Sequence, residues 1–128
     1  MNIANVLIVG AGGFIGSMAR YITVISLDKK LNSIFPFGTI AVNILGSFLL
    51  GFVLALLVKK SGAHPQEWKL FLVTGFCGGF TTFSAFAAEN ANLFEQKFPG
   101  VALLYVALSV VGGLLAVWAG FALARTLV

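Results

Sequence analysis

Apolar residues dominate four long stretches of the chain, and charged residues mark the boundaries between them. The uncharged stretches are residues 1–19, 31–58, 70–88 and 98–124. A helix needs roughly 20 mostly apolar residues to cross a bilayer, and a helix satisfies its own backbone polar groups where lipid offers no partner. The pattern therefore predicts four membrane-spanning helices. Their expected bounds are residues 3–26, 38–58, 69–95 and 101–126.

The segments between the predicted helices are too short to hold a catalytic domain. They comprise residues 28–37, 59–68 and 96–100. Only 9% of the residues are charged, against about 25% in soluble domains. We therefore expect one all-α domain over residues 1–128, embedded in a lipid bilayer as a multi-pass protein.

The basic residues are distributed almost evenly along the chain. The net charge is +4, and basic residues at helix ends favour contact with lipid headgroups, so we expect no nucleic-acid partner. If both termini share one side, each side carries four basic residues. One side has Lys59, Lys60, Lys69 and Arg125, and the other has Lys29, Lys30, Lys97 and Arg20. Such a count gives no orientation: either it is noise in a short chain, or the protein inserts both ways.

A glycine motif near the amino terminus resembles a nucleotide-binding turn. Residues 6–16 read VLIVGAGGFIG, and such spacing after a strand binds a dinucleotide in a Rossmann fold. The following uncharged stretch excludes a polar Rossmann exterior. Gly12, Gly13 and Gly16 are better interpreted as a smooth helix face for close packing.

The third apolar stretch combines glycines with hydroxyl side chains at mid-membrane. Gly75, Gly78 and Gly79 lie among Thr74, Thr81, Thr82 and Ser84. Glycine costs up to about 1 kcal/mol inside a helix, so we predict a break near residues 78–82. Freed carbonyls at such a break can coordinate a cation. A simple kink is the alternative.

Two polar side chains stand out in the first two stretches. Asn43 lies in the apolar core of the second stretch, where its amide either bonds a neighbouring helix or faces a water-filled path. Arg20 closes the first uncharged stretch. It either extends towards the headgroups, or fixes a partner or attracts anions at a pore entrance.

Aromatic and hydroxyl side chains offer a further candidate path. Phe83 and Phe86 share a helix face, and their positive ring edges suit an anion, although packing is the ordinary reason for such a pair. Tyr105 and Ser109 lie one turn apart. They either form a hydroxyl track, or Tyr105 packs and Ser109 bonds the preceding turn. The sequence shows no paired carboxylates, histidine cluster or Ser/His/Asp set, so we expect no enzyme.

These features together resemble the Fluc fluoride channel family, also called CrcB proteins. The resemblance rests on residues 12–20 (GGFIGSMAR), 38–46 (GTIAVNILG) and 75–89 (GFCGGFTTFSAFAAE) and extends over essentially the whole chain. It implies an antiparallel, dual-topology homodimer with two pores that export cytoplasmic fluoride passively. It also implies a structural sodium ion at the dimer centre.

The resemblance also assigns roles to individual residues. The sodium ligands would be the backbone carbonyls of Gly78 and Thr81. The pore would be lined by Asn43, Phe83, Phe86, Tyr105 and Ser109, with the hydroxyls of Thr82 and Ser84, and Arg20 would lie in the vestibule. Beyond Ser109 the same face carries Gly113 and Val117, so there the polar track would depend on third-stretch hydroxyls or water.

Two other functions compete with a fluoride channel. A small proton-coupled drug exporter is also a four-helix dual-topology dimer, but it needs a membrane-embedded carboxylate; the first stretch has none, and Glu89 lies near the end of the third. A membrane subunit without transport activity would leave the polar glycine-rich segment unexplained.

Overall fold

A computed structural model describes residues 1–59 and 65–128, and it is helical throughout most of this length. Four helical spans are long and apolar enough to cross a membrane: α1 (Ile3–Leu31), α2 (Phe37–Lys59), a third span (Pro65–Glu95) and α6 (Pro99–Leu127). The predicted all-α fold with four spans is therefore confirmed. The predicted loop residues Lys60, Gly62 and His64 lie outside the described residues.

The first helix is longer than predicted, and its end is tied to the start of α2. The sequence placed Asp28 in a loop, which is wrong, because α1 continues to Leu31 and ends at Asn32 in a left-handed conformation with φ of 42°. The Asp28 carboxylate accepts a hydrogen bond of 3.1 Å from Gly38 N in the first turn of α2. Carboxylates are favourable at helix N-termini, so Asp28 fixes the corner between the two helices.

Prolines set the starts of the last two spans, which were also predicted too short. The third span begins at Pro65 and α6 begins at Pro99. Proline is favoured at the first position of a helix, because its missing N–H would have no intrahelical partner there. The apolar pattern does not include these end residues, since they lie at the edge of the membrane-length segment.

The third span is a single bent span made of several segments. Its segments are α3 (Pro65–Trp68), a π-helical segment (Lys69–Cys77), α4 (Gly78–Phe80) and α5 (Phe83–Glu95). Between α4 and α5 lies an extended step formed by Thr81 (φ −90°, ψ 159°) and Thr82 (φ −152°, ψ 120°). The Thr82 hydroxyl accepts a bond of 3.2 Å from Ala85 N and so caps α5.

Glycines allow the helices to pack with their backbones in near contact. A Cβ built on Gly12 would lie 2.2 Å from the carbonyl oxygen of Phe71, so α1 packs directly on the π-helical segment. A Cβ on Gly51 would lie 2.2 Å from the carbonyl of Val117, and α2 packs on α6 in the same way. Small residues serve this purpose in membrane helices. The predicted glycine packing face on α1 is thus confirmed.

Candidate pore site

The site is organised around two hydrogen bonds between the Asn43 side chain and the backbone of Thr82. Thr82 N donates to Asn43 Oδ1 at 2.7 Å, and Asn43 Nδ2 donates to Thr82 O at 3.0 Å. A buried peptide group without partners is costly. Asn43 therefore substitutes for the helical bonds that the extended step gives up, and the second N–H of its amide has no bond within residues 1–59 and 65–128.

A cavity of about 290 Å³ opens on one side of Thr82, between α2, the extended step and α6. Polar groups from three elements face it, including Asn43, Ser47 and Ser109. Its full lining is Asn43, Gly46, Ser47, Leu50, Thr81, Thr82, Phe83, Phe86, Ser109, Val110, Gly113 and Val117. The structure thus brings together several of the predicted pore residues along one cavity wall.

Ser109 lines this cavity, but its hydroxyl oxygen is enclosed by protein. Its Oγ is buried and has no hydrogen-bond partner in the part of the chain that the structure describes. A buried hydroxyl without a partner costs free energy. The alternative in which Ser109 bonds the preceding turn is therefore not what the structure shows.

A second cavity of about 340 Å³ is also lined by Thr82 and reaches α1. Arg20 and Glu89 both line it, so charges of opposite sign face the same space. The remaining lining residues are Ser17, Tyr21, Val24, Ile25, Thr39, Thr82 and Ala85. Because Thr82 lines both cavities, the residue that Asn43 holds stands at their junction.

Arg20 is tied to the third span through its backbone. Its Nε donates to the carbonyl oxygen of Gly79 at 2.9 Å, and the side chain is half-buried. Of the alternatives for Arg20, the structure shows a fixed partner. The Arg20 side chain also lines the second cavity, and its guanidinium has further N–H groups besides that of Nε.

Tyr105 and Thr39 both donate to Glu89. Tyr105 Oη donates to Glu89 Oε2 at 2.8 Å, and Thr39 Oγ1 donates to Glu89 Oε1 at 2.6 Å. Tyr105 is fully buried, and burial of a polar group requires such a partner. The predicted hydroxyl track from Tyr105 to Ser109 is therefore divided, since Tyr105 serves the carboxylate and Ser109 faces the first cavity.

Aromatic rings form a continuous row from the first cavity to Tyr105. The ring centroids of Phe83 and Phe86 are 5.6 Å apart at an interplanar angle of 47°, and Phe86 meets Tyr105 edge-on at 5.1 Å. Phe83 is 79% exposed, whereas Phe86 is half-buried. Ser84 is also exposed, and its hydroxyl lies 3.3 Å from that of Thr82.

The extended step releases the backbone carbonyls of Gly78 and Thr81, among others, from their helical donors. In a continuous helix, Thr82 N would donate to Gly78 O and Ala85 N to Thr81 O. Here Thr82 N donates to Asn43 and Ala85 N donates to the Thr82 hydroxyl. In residues 1–59 and 65–128, no cluster of three or more His, Cys, Asp or Glu side chains could hold a metal ion.

Comparison with known proteins decides the family. A sequence profile described as "CrcB-like protein, Camphor Resistance (CrcB)" matches residues 7–121. A protein of Chlorobium chlorochromatii named "Fluoride-specific ion channel FluC" is 44% identical, covering 95% of this chain and 93% of its own length. The chain belongs to the CrcB family. It is also similar to proteins of the same name from Chlorobium luteolum (47% identical; 94% and 92% covered) and Rhizobium meliloti (44%; 97% and 98% covered).

As a CrcB-family chain with four spans, the protein is a multi-pass membrane protein. In bacteria, the source of these relatives, such a protein lies in the plasma membrane. Charged groups inside a membrane protein normally face an interior cavity or one another. Arg20 and Glu89, which face one cavity, follow that rule.

Sequence reasoning missed three polar residues of the site, namely Thr39, Ser47 and Glu89. Thr39 and Ser47 lie four residues before and four residues after Asn43 on α2. The helical period therefore places Thr39, Asn43 and Ser47 on one face of α2. The sequence indicates only that Glu89 lies near the end of the third apolar stretch. Its acceptance of two hydroxyl donors depends on partners from α2 and α6, which local sequence does not reveal.

Proposed function

We propose that this chain forms a fluoride-selective channel that lets cytoplasmic fluoride leave the cell passively. The observation that carries the proposal is the clamped peptide of Thr82, a residue that lines two cavities with polar side chains in their walls. Irregular backbone at membrane depth is tolerated where it is enclosed by protein or lines a water-filled space. The names of the CrcB-family relatives support fluoride as the ion and a channel as the protein class, not an enzyme.

Permeation would proceed by exchange of fluoride's hydration for weak donors along the cavities. In the first cavity these donors are the free N–H of Asn43, the Ser109 hydroxyl and the hydroxyl of Thr82. The positive ring edges of Phe83 and Phe86 would add weak attraction without trapping the ion. The Ser84 hydroxyl lies at hydrogen-bond distance from Thr82 and extends this set.

The lower part of the path depends on α2 and on water. Gly113 and Val117 line the first cavity without polar side chains, but Ser47 Oγ lies 3.8 Å from the position of a Cβ on Gly113. Ser47 therefore supplies the hydroxyl that α6 lacks. We expect water to complete the path beside Gly113, since that residue leaves open space against a hydroxyl.

The charges of the second cavity would set the local anion concentration. The guanidinium of Arg20 attracts anions to the cavity, while the carboxylate of Glu89 opposes them. Both Glu89 oxygens accept hydroxyl donors, and these donors disperse its negative charge. The vestibule thus contains the basic residue Arg20 and the carboxylate of Glu89. Hydrogen bonds from Tyr105 and Thr39 hold this carboxylate in place.

A structural sodium ion fits the carbonyls that the extended step releases. Gly78 O and Thr81 O have lost the donors that a continuous helix would give them, and hard cations prefer oxygen ligands. When bound, the ion would supply positive charge between these oxygens. The residues around the ion would keep both carbonyls out of helical hydrogen bonds.

The functional unit would be an antiparallel homodimer with two pores. Phe83 is 79% exposed and Gly78 is exposed, so a second copy has access to the ring and to Gly78. The even division of basic residues between the two sides supports insertion in both orientations. An exposed phenylalanine that is meant to line a pore requires another surface opposite it.

Liposomes that contain only the purified protein test this function. We expect rapid fluoride efflux once a potassium ionophore relieves the charge imbalance. Phe83→Ile and Phe86→Ile should each reduce the rate at least tenfold, because aliphatic side chains lack the positive ring edge. Phe94→Ile changes an exposed ring at the far end of α5 and is the matched control. Parental flux in both pore variants would refute the aromatic contribution.

A proton-coupled fluoride transporter is the second candidate, because Glu89 is a carboxylate inside a cavity. The two candidates differ in their response to a pH gradient imposed without a fluoride gradient. A coupled transporter would accumulate fluoride in response to the pH gradient. A channel would only equilibrate fluoride with the membrane potential, and that is the result we expect.

A further inference from the structure

Arg20 occupies a special position on the face of α1 that packs against the third span. Gly12, Gly16 and Arg20 follow one another at intervals of four residues, which places them on one helix face. A Cβ on Gly16 would lie 2.2 Å from Phe76 O, and a Cβ on Gly79 would lie 2.6 Å from Gly13 O. The backbones of α1 and the third span therefore run side by side as far as Arg20. There the Arg20 side chain reaches the carbonyl of Gly79.

That carbonyl belongs to a peptide group that needs a donor. In a continuous helix, Gly79 O would accept a bond from Phe83 N, but the extended step separates them and α5 begins only at Phe83. Arg20 Nε donates to Gly79 O at 2.9 Å. A hydrogen bond from a charged donor is about twice as strong as a neutral one, so Arg20 compensates for the interruption.

We propose that Arg20 is a positioning residue that, together with Asn43, clamps the extended step from two helices. Asn43 holds the Thr82 peptide from α2, and Arg20 holds the Gly79 carbonyl from α1. Between these two contacts lie Phe80 and Thr81. The inference rests on the proposed function only in that the clamped step is the site of conduction; the clamp itself is a statement about the backbone.

This role differs from attraction of anions by the Arg20 charge, and three substitutions separate the two roles. Glutamine places its Nε2 the same number of bonds from Cα as the arginine Nε, so Arg20→Gln keeps the donor and removes the charge. Arg20→Lys keeps a charge but has a carbon at the position of Nε. Arg20→Met matches the length of glutamine and has neither donor nor charge.

The clamp predicts a definite order of fluoride flux in liposomes. Arg20→Gln should conduct less than the parent because the charge is gone, whereas Arg20→Met, which also loses the donor, should lose tenfold or more relative to the parent and conduct severalfold less than Arg20→Gln. The fluoride flux of Arg20→Lys should be closer to that of Arg20→Met than to that of Arg20→Gln. If Arg20→Lys has the flux of the parent while Arg20→Gln and Arg20→Met are equally impaired, only the charge of Arg20 matters for flux and the clamp is refuted.

Amide hydrogen exchange over residues 78–86 gives a second readout that does not require conduction. Arg20→Met should accelerate exchange in this segment by about tenfold relative to Arg20→Gln, because the step loses one of its two restraints. Equal exchange in both variants would overturn the proposal even if both conduct. If the parent conducts no fluoride, the proposed function fails, while the exchange comparison still decides on the clamp.

Arg125 provides the matched control for both readouts. Its guanidinium lies over the Phe121 ring, 5.9 Å from the centroid, near the end of α6. Arg125→Gln and Arg125→Met make the same chemical changes away from the extended step. We expect no difference between these two controls in flux or in exchange over residues 78–86, and a difference as large as that at Arg20 would contradict the assignment.

Discussion

Replacement of Asn43 by leucine should release the Thr82 peptide and close the path. The change deletes two hydrogen bonds, of 2.7 and 3.0 Å, and leaves one backbone N–H and one carbonyl without these partners. Each unsatisfied group costs about 1–3 kcal/mol, so the clamped conformation loses roughly 2–6 kcal/mol. Even the lower limit lowers its population about thirtyfold relative to competing conformations.

The measurement combines fluoride efflux with amide exchange, because Asn43 also has a free N–H that can meet the ion. Asn43→Leu should slow efflux at least about thirtyfold and should also accelerate exchange at Thr82, whose N–H loses its acceptor. Loss of flux with unchanged exchange at Thr82 would show that Asn43 serves only the ion. Parental flux and parental exchange together would refute the clamp altogether.

Asn92→Leu is the matched control for Asn43→Leu. Asn92 is exposed on α5, and among the side-chain bonds described for residues 65–128 it only accepts one of 3.3 Å at Oδ1 from Gln96 Nε2. Exposed pairs on a helix contribute a few tenths of a kcal/mol. We therefore expect parental efflux and parental exchange at Thr82, and size-exclusion chromatography should show both variants at the parental oligomeric size.

Three further changes have definite expected results. Gly16→Ala places a Cβ 2.2 Å from a backbone carbonyl of the third span, and it should lower the thermal midpoint of unfolding in detergent by several degrees; Gly10→Ala, with nothing within 4 Å, should not. Tyr105→Phe removes the donor to Glu89 and should reduce fluoride efflux about tenfold. Ser47→Ala should slow efflux severalfold without a change in the thermal midpoint, because the side chain is half-buried beside a cavity and its hydroxyl contributes to the path rather than to packing.

The sequence predicts the helices and their glycine contacts because both depend on local patterns. Uncharged stretches of membrane length indicate the four spans, and the spacing of Gly12 and Gly16 indicates the face of α1 that meets its neighbour. The helix ends were predicted less well. Hydropathy does not detect that Asp28 continues α1 and caps α2, since that contact joins residues ten positions apart across a turn.

The candidate site was only partly predictable because its polar groups find their partners across the fold. Asn43 was recognisable as an unusual amide in an apolar segment, but its bonds to Thr82 connect residues 39 positions apart. Glu89 depends on Thr39, 50 positions away. Such pairings follow from how the helices pack, and helix periodicity restricts each residue to a face without naming the residue opposite.

The proposed function requires that this chain alone makes a membrane permeable to fluoride and not to chloride. The most direct test is the reversal potential of the purified protein in a planar bilayer, with fluoride on one side and chloride on the other. We expect a current carried by fluoride, with a reversal potential displaced strongly in the direction that fluoride selectivity requires. A reversal potential near zero, or no current from folded protein in sodium-containing solution, would contradict it.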